Sequence, residues 1–149
     1  MNAADEKRRL SQARRIAEVK ERRSERARIE AVHAETEATR RLELAANDRS
    51  AASRQKEQAR SVFFQNSGDP QAEVWLIANE MREEQAVSAA RIAEEKCLTA
   101  RDNAQAARRE HDRMRERSTL IETRIDTVAR KIKTRESDRE DEEMQGSRS

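Results

Sequence analysis

Small and apolar residues recur on a heptad spacing along the second half of the chain. With Ala90 taken as an a position, the a and d positions alternate in steps of four and three without a slip. They are Ala86, Ala90, Ala93, Cys97, Ala100, Ala104, Ala107, His111, Met114, Ser118, Ile121, Ile125, Val128 and Ile132. The neighbouring positions are mostly Arg, Lys and Glu. An apolar seam between charged flanks is typical of a coiled-coil helix, so this half is predicted to form one long helix.

A weaker seam runs along the first half. One line of positions, seven residues apart, is small or apolar throughout and reads Ala3, Leu10, Ala17, Ser24, Ala31, Ala38, Ala45, Ala52 and Ala59. The companion line is mixed and reads Ala13, Lys20, Ala27, Ala34, Arg41, Asp48, Gln55 and Val62. The larger residues Ile16, Val19, Ile29, Val32 and Leu42 lie beside it. This pattern predicts a second long helix that meets its partner mainly through alanine.

The helix-breaking residues collect between the two seams. Gly68, Asp69 and Pro70 include the only proline and one of the two glycines. Asp69 suits an N-cap with Pro70 at the first helical position, and Asn66 or Gly68 suits the left-handed residue that ends a helix. Acidic residues near a helix C-terminus oppose the helix dipole. The prediction is one domain over residues 1–149, with a helix at 3–65, a turn at 66–70, a helix at 71–140 and a frayed acidic tail at 141–149.

Folding the chain back near residue 68 places similar residues opposite each other. Leu10, Ile16 and Val19 then face residues 117–125, and small residues face small residues in the middle of both helices. The predicted fold class is therefore all-α, an elongated two-helix antiparallel coiled-coil hairpin. At 1.5 Å per residue each helix would be roughly 90–100 Å long.

Composition excludes a compact globular domain and a disordered chain. Charged residues make up 42% and hydrophobic residues 34% of the sequence, against about 25% and about 45–50% in soluble globular domains. Disordered chains combine Pro and Gly with high net charge, whereas this one has one Pro, two Gly and a formal net charge of +2. A long helical structure remains.

Charge and cysteine usage limit the classes of partner. The 32 basic and 30 acidic residues are interspersed, which argues against nucleic acid as the main partner. Without a long apolar run or a signal-peptide core, the chain is expected to be cytoplasmic and not inserted in a membrane. Cys97 is the only cysteine, which fits a reducing compartment, and among alanines it is expected to be a small buried residue.

No pattern in the sequence points to catalysis. His33 and His111 are isolated from other ligand-type residues, so no metal site and no cofactor is expected. Phosphate-binding loops and nucleophile motifs are absent from the sequence, and a two-helix hairpin offers no concave pocket. The chain is predicted not to be an enzyme and to have no catalytic residue, although His111 at a seam position predicts mild pH sensitivity.

All three aromatic residues lie close to the turn. Phe63, Phe64 and Trp75 join Val62, Val74, Leu76 and Ile77 in the densest apolar cluster of the chain. Four consecutive apolar residues from Val74 to Ile77 cover more than half of a helix circumference, so part of the cluster should stay exposed. The cluster could pin the turn, bind a partner or do both.

These features resemble a known family, the FliJ/YscO (SctO) central-stalk proteins of type III secretion and flagellar export. The resemblance rests on the length, the antiparallel hairpin with its mid-chain turn, the Arg/Glu/Ala/Gln-rich body and the apolar residues after the turn. It implies a non-enzymatic stalk or adaptor that links a hexameric secretion ATPase to an export-gate membrane protein and contacts secretion chaperones. Its expected location is the cytoplasm, including the inner face of the bacterial inner membrane.

The resemblance also implies two binding surfaces, placed by position along the hairpin. The ATPase-binding end, which carries both termini, would hold Leu10, Arg14, Arg15, Ile16, Ile121, Arg124, Ile125 and Ile132. The export-gate-binding surface after the turn would hold Trp75, Leu76, Asn79 and Arg82. The alternative is a structural adaptor that homodimerises into a four-helix bundle. A nucleic-acid-binding arm is disfavoured by the alternating charges.

Overall fold

Two long helices make up the chain in the computed structural model, which describes residues 2–148. Helix α1 is Ala3–Gln65 and helix α2 is Pro70–Arg148. The described residues contain no strand, and the two helices pack against each other. The predicted all-α helical hairpin is confirmed.

The chain divides into two units, and each contains a part of both helices. The terminal unit consists of residues 1–28 and 107–149, and the turn unit consists of residues 29–106. Each unit therefore has its own stretch of the seam between α1 and α2.

Local hydrogen bonds define the helix ends. Asn2 caps α1, because its Oδ1 accepts a hydrogen bond from the backbone N–H of Asp5 at 2.9 Å. At the turn, Gly68 has a φ of 99°, a left-handed conformation that favours glycine. Asp69 then caps α2, since its Oδ1 accepts from the N–H of Gln71 at 3.0 Å, and Pro70 begins the helix. Gly68 rather than Asn66 supplies the left-handed residue.

The seam of α2 follows the predicted heptad. Every predicted a and d position from Ala86 to Ile132 is buried or half-buried, while the positions between them are exposed. Ala104 is 0% exposed and Val128 is 1% exposed. The seam continues towards the turn through Glu83, Asn79, Leu76 and Ala72. The heptad prediction for this helix is confirmed.

Only one of the two predicted lines of α1 lies in the seam. The line from Ala3 to Ala59 is buried or half-buried throughout, as predicted. The prediction that the companion line also lies in the seam was wrong, because its members from Lys20 to Gln55 are exposed. The opposite flank is covered instead, at Glu21, Arg28, Glu35, Leu42, Lys56 and Phe63. Among these residues, Lys56 pairs with Glu83 of α2, and Glu21 accepts a hydrogen bond from Ser118 of α2.

Contacts between α1 and α2 agree with the predicted fold-back. In the turn unit, Thr39 Oγ1 lies 3.8 Å from Cys97 Sγ, and Cys97 is buried as predicted. The bulky pairing expected in the terminal unit is formed only in part, since Leu10, Ile121 and Ile125 are half-buried. Ile16 is 58% exposed and Leu120 is 70% exposed, so both lie outside the seam, and Val19 is exposed as well.

Helix α2 extends beyond its predicted end. It runs to Arg148, whereas the sequence predicted an end at residue 140 and a frayed tail. The segment from 139 to 145 contains mainly Arg, Glu, Met and Gln, which are good helix formers, and one glycine costs about 1 kcal/mol. All side chains from 133 to 147 are exposed. The last tail residue, Ser149, lies outside the described residues.

Candidate interaction surfaces

The apolar cluster at the turn is only partly covered. Phe64 is 67% exposed, and Trp75 is exposed too, whereas Phe63 is half-buried. The Phe63 and Phe64 ring centroids lie 5.8 Å apart at an angle of 64°, and the Arg60 guanidinium lies 5.8 Å from the Phe64 centroid. The predicted partial exposure is confirmed. Phe64 is held against its own helix by these contacts and still presents most of its surface to solvent.

Three further apolar residues form a stripe on the outer face of α2. Val74, Ile77 and Met81 are exposed, and their spacing of three and four residues places them on one helix face. Buried Ala72 and Asn79 mark the opposite, seam-facing side of the same helix turns. This set, called the outer stripe below, lies on the side of α2 away from the seam.

One edge of the outer stripe is acidic. Glu73, Glu80 and Glu84 share a face of α2 about a quarter-turn from the stripe. Among the described residues, none of their carboxylates has an ion-pair partner. An apolar stripe with an unpaired acidic edge is suited to a partner that carries Lys or Arg beside an apolar surface.

The predicted export-gate-binding residues do not all lie on the surface. Trp75 and Arg82 are exposed and Leu76 is half-buried. Asn79 is 2% exposed, and its Nδ2 donates to the backbone carbonyl of Trp75 at 2.8 Å. Asn79 therefore lies in the seam rather than on the exposed face of the helix. Phe64 and the residues of the outer stripe do not occupy heptad positions. That spacing is the signal in the sequence that could have identified them as exposed.

The predicted ATPase-binding residues separate into two groups of four. Leu10, Ile121, Ile125 and Ile132 are half-buried in the seam and hold the helices of the terminal unit together. The remaining four, Arg14, Arg15, Ile16 and Arg124, are exposed. The Arg14 Nε lies 3.8 Å from Glu18, and Arg124 donates to Glu6 Oε1 at 2.8 Å. Val19 and Leu120 belong to the exposed apolar surface of this unit.

The two units carry opposite net charges. Residues 1–28 contain ten basic and five acidic residues, and residues 107–149 contain twelve and eleven, so the terminal unit has a formal charge of +6. The turn unit contains ten basic and fourteen acidic residues, a charge of −4, which returns the total of +2. The small net charge of the whole chain does not reveal this difference in charge between the two units. The terminal unit is suited to an acidic partner surface, and the turn unit to a basic one.

A salt bridge joins the two helices within the turn unit. Lys56 Nζ donates to Glu83 Oε1 at 2.9 Å, and both side chains are about three-quarters covered. The hydrogen bond from Lys56 lowers the pKa of the Glu83 carboxyl, with smaller help from Ser53 and from the positive charges of Lys56 and Arg49, while desolvation opposes it. Glu83 therefore stabilises the hairpin in its ionised form.

Stability should respond to pH through this pair. A carboxyl whose pKa is lowered by folding stabilises the folded state above the usual carboxyl range, and that contribution is lost as the pH falls. We expect Glu83→Gln to lower the thermal midpoint at neutral pH and to have little effect near about pH 3. Glu84→Gln is the matched control and should have little effect at either pH. Equal losses for both variants in circular-dichroism melts would contradict the role of the Lys56 contact.

Within the described residues, neither helix has a segment apolar enough to cross a membrane, and no group of His, Cys, Asp or Glu is placed to hold a metal ion. No family model matches the sequence, and no curated protein or solved structure matches it.

Proposed function

We propose that this chain is a non-enzymatic stalk or adaptor of a type III secretion export apparatus, linking a hexameric ATPase to an export-gate membrane protein and contacting secretion chaperones. The observation that carries the proposal is the presence of large apolar side chains outside the seam in both units. They lie on a chain with 42% charged residues. Grouped apolar side chains on such a charged surface mark sites of protein contact.

The terminal unit has the properties expected for the ATPase-binding end. Arg14 and Arg15 lie beside exposed Ile16, and the unit has a net charge of +6. Arginine next to an apolar anchor is a common combination at protein interfaces, because its planar guanidinium binds carboxylates and also packs on apolar surface. An acidic surface with an apolar recess would complement this end.

The turn unit has the properties expected for the export-gate contact. Trp75, the outer stripe and Phe64 form the apolar part, and the unpaired carboxylates of Glu73, Glu80 and Glu84 form a charged edge. Tryptophan and other aromatic residues are enriched among the side chains that contribute most to binding. The complementary partner would be a basic, amphipathic segment of the export gate.

The acidic edge also argues against the homodimer alternative. When two copies of a helix pair antiparallel about a two-fold axis, identical edges face each other. Pairing through the outer stripe would therefore bring the carboxylates of Glu73, Glu80 and Glu84 in one copy near those of the other. The resulting repulsion favours a different protein as the occupant of the outer stripe.

A binding assay tests the proposal at the ATPase end. We expect the wild-type chain to co-elute with the hexameric secretion ATPase of the same cell, and Arg14→Glu with Arg15→Glu to weaken the affinity by at least about tenfold. Arg54→Glu with Arg101→Glu is the control, since it makes the same charge change at exposed positions of the turn unit. Equal weakening by both double variants, or a wild-type chain that retains neither the ATPase nor an export-gate subunit, would refute the proposal.

A further inference from the structure

The outer face of α1 in the terminal unit carries arginine and no acidic residue. Three lines of positions, each with a spacing of seven residues, begin at Arg8, Arg9 and Gln12 and continue to residue 26. Buried Ala17 and Ser24 mark the seam-facing side of the same helix turns. All nine residues on the three lines, called the basic face below, are exposed. Six of them are arginines, namely Arg8, Arg9, Arg15, Arg22, Arg23 and Arg26.

The acidic residues of the same stretch lie beside the seam. Glu18, Glu21 and Glu25 are all half-buried. Glu21 accepts a hydrogen bond from Ser118 of α2 at 2.9 Å, and Arg28 donates to Glu25 at 2.6 Å. Charges that are interspersed in the sequence are therefore separated by the fold, because the acids lie along the seam and the arginines point to solvent.

The arginines of the basic face are not neutralised by neighbouring carboxylates. None of the six has an ion-pair partner among residues 2–148, whereas nearby Arg14 lies 3.8 Å from Glu18. A guanidinium group without a partner is free to bind phosphate or carboxylate oxygens. At 1.5 Å per residue, the basic face presents these charges over roughly 27 Å of the helix.

Two apolar side chains lie at the centre of the basic face. Ile16 and Val19 are both exposed, and their spacing of three residues places them next to each other. Arg9 and Arg23 lie seven residues before and after Ile16 on the same line. A nucleic-acid backbone offers no apolar surface for such residues, whereas the headgroup region of a bilayer accepts them. An acidic protein would need a row of carboxylates of matching length, but an anionic bilayer presents phosphates everywhere on its surface.

We propose that the basic face of α1 docks on the surface of an anionic phospholipid bilayer. The six guanidinium groups bind lipid phosphates, and Ile16 and Val19 enter the headgroup region between them. Helix α1 lies along the bilayer surface, since neither helix has a described segment apolar enough to cross a membrane. The contact needs neither the ATPase nor the export gate. Arg15 and Ile16 also belong to the predicted ATPase-binding residues, so the two partners compete for this end.

Co-sedimentation of the full chain with lipid vesicles tests the contact. The anionic vesicles contain about 30% phosphatidylglycerol in phosphatidylcholine, and the neutral vesicles contain phosphatidylcholine alone. At about 0.1 M salt we expect binding to the anionic vesicles only, and at about 0.5 M salt we expect it to be lost because the charges are screened. Equal binding to both kinds of vesicle, or binding to neither, would overturn the proposal.

A triple variant tests the arginines. Arg9→Gln with Arg22→Gln and Arg23→Gln should weaken the affinity for anionic vesicles about a hundredfold, because each basic residue near such a surface contributes about a factor of five. None of these three arginines belongs to the predicted ATPase-binding residues. Loss of vesicle binding with intact ATPase binding is therefore distinguishable from a failure of the proposed function.

The matched control removes the same charge from α2 of the terminal unit. Arg109, Arg117 and Arg130 are exposed, and their replacement by glutamine leaves the basic face intact. We expect the affinity to fall by less than about fivefold, because charges away from the contact are screened. Equal weakening by the two triple variants would show that net charge, and not the basic face, drives binding, and would contradict the proposal.

A pair of single variants tests the apolar part of the contact. Val19→Gln should weaken vesicle binding about three- to fivefold, because a side chain that enters the headgroup region loses apolar burial. Leu120→Gln makes a similar change at an exposed apolar residue of α2 and should have no effect. Identical affinities for the two variants would rule out insertion of Val19.

Competition distinguishes a bilayer from other polyanions. A DNA duplex of about 20 base pairs and polyglutamate are each added at the same concentration of negative charge as the accessible lipid. We expect most of the chain to stay on the vesicles, because neither competitor offers apolar contact to Ile16 and Val19. Displacement by the duplex would identify a nucleic-acid surface, displacement by polyglutamate would identify an acidic protein surface, and either result would refute lipid as the partner.

Discussion

Replacing Ala104 with aspartate should lower the thermal midpoint by on the order of 10 °C, or leave the chain largely unfolded. Ala104 is 0% exposed and lies in the α2 seam of the turn unit. A carboxylate there has no solvent and no partner, and the aspartate side chain is too short to extend past the seam as Lys or Glu can. Because alanine seams bury little apolar area, little stability is available to offset this penalty.

The matched control for this substitution is Ala106→Asp, on the same helix and in the same unit. Ala106 is exposed, so the variant makes the same change in charge and helix propensity without burying the carboxylate. We expect its midpoint to fall by only about 2 °C. Similar losses for the two variants in circular-dichroism melts would show that the seam does not hold the helices together in solution.

Replacing Val74, Ile77 and Met81 with glutamine should abolish partner binding and leave the hairpin folded. The three side chains face away from α1, so their loss costs the fold little. If the outer stripe binds an export-gate segment, each truncation at the centre of the contact costs about 1–2 kcal/mol. Together they should weaken the affinity by at least about a hundredfold. Isothermal titration with the cytoplasmic part of the export-gate protein provides the measurement.

A second triple variant provides the comparison. Leu44, Ile92 and Leu98 are also exposed apolar residues of the turn unit but lie outside the outer stripe. Their replacement by glutamine makes a similar change in exposed apolar surface and should preserve binding. Wild-type affinity in the stripe variant, or an equal loss in both, would show that the outer stripe is not the binding surface. A drop in thermal midpoint confined to the stripe variant would point to a structural role.

The sequence by itself determined the turn, the seam of α2 and the two helices, apart from the C-terminal end of α2. Helix formers without a breaker determine the two helices, and Gly68, Asp69 and Pro70 supply the local backbone chemistry that a sharp turn needs. The α2 seam was equally predictable because its apolar residues alternate with charged ones over the whole heptad series. These are local properties, so they can be recognised without knowing which residues of the two helices pack against each other.

Only the tertiary structure decided how α1 is rotated against that seam. With alanine along its centre, α1 gains almost the same apolar burial with either flank turned inwards, so the hydrophobic pattern does not distinguish them. Cross-helix pairs such as Lys56 with Glu83 and His111 with Glu25 favour one rotation, and they join residues far apart in the chain. That rotation leaves Ile16 exposed, an outcome that apolarity alone predicts wrongly.

The structure also decided which chemistry each part of the hairpin presents. Asn79 reads as a surface residue after the turn, yet its place in the α2 seam buries it. Most of the positive charge of the terminal unit comes from residues 1–28, where ten basic and five acidic residues give +5, and folding places the nearly neutral residues 107–149 beside them. Local sequence determines which residues are helical, but long-range pairing determines which side chains remain free to bind, because exposure depends on the neighbouring helix.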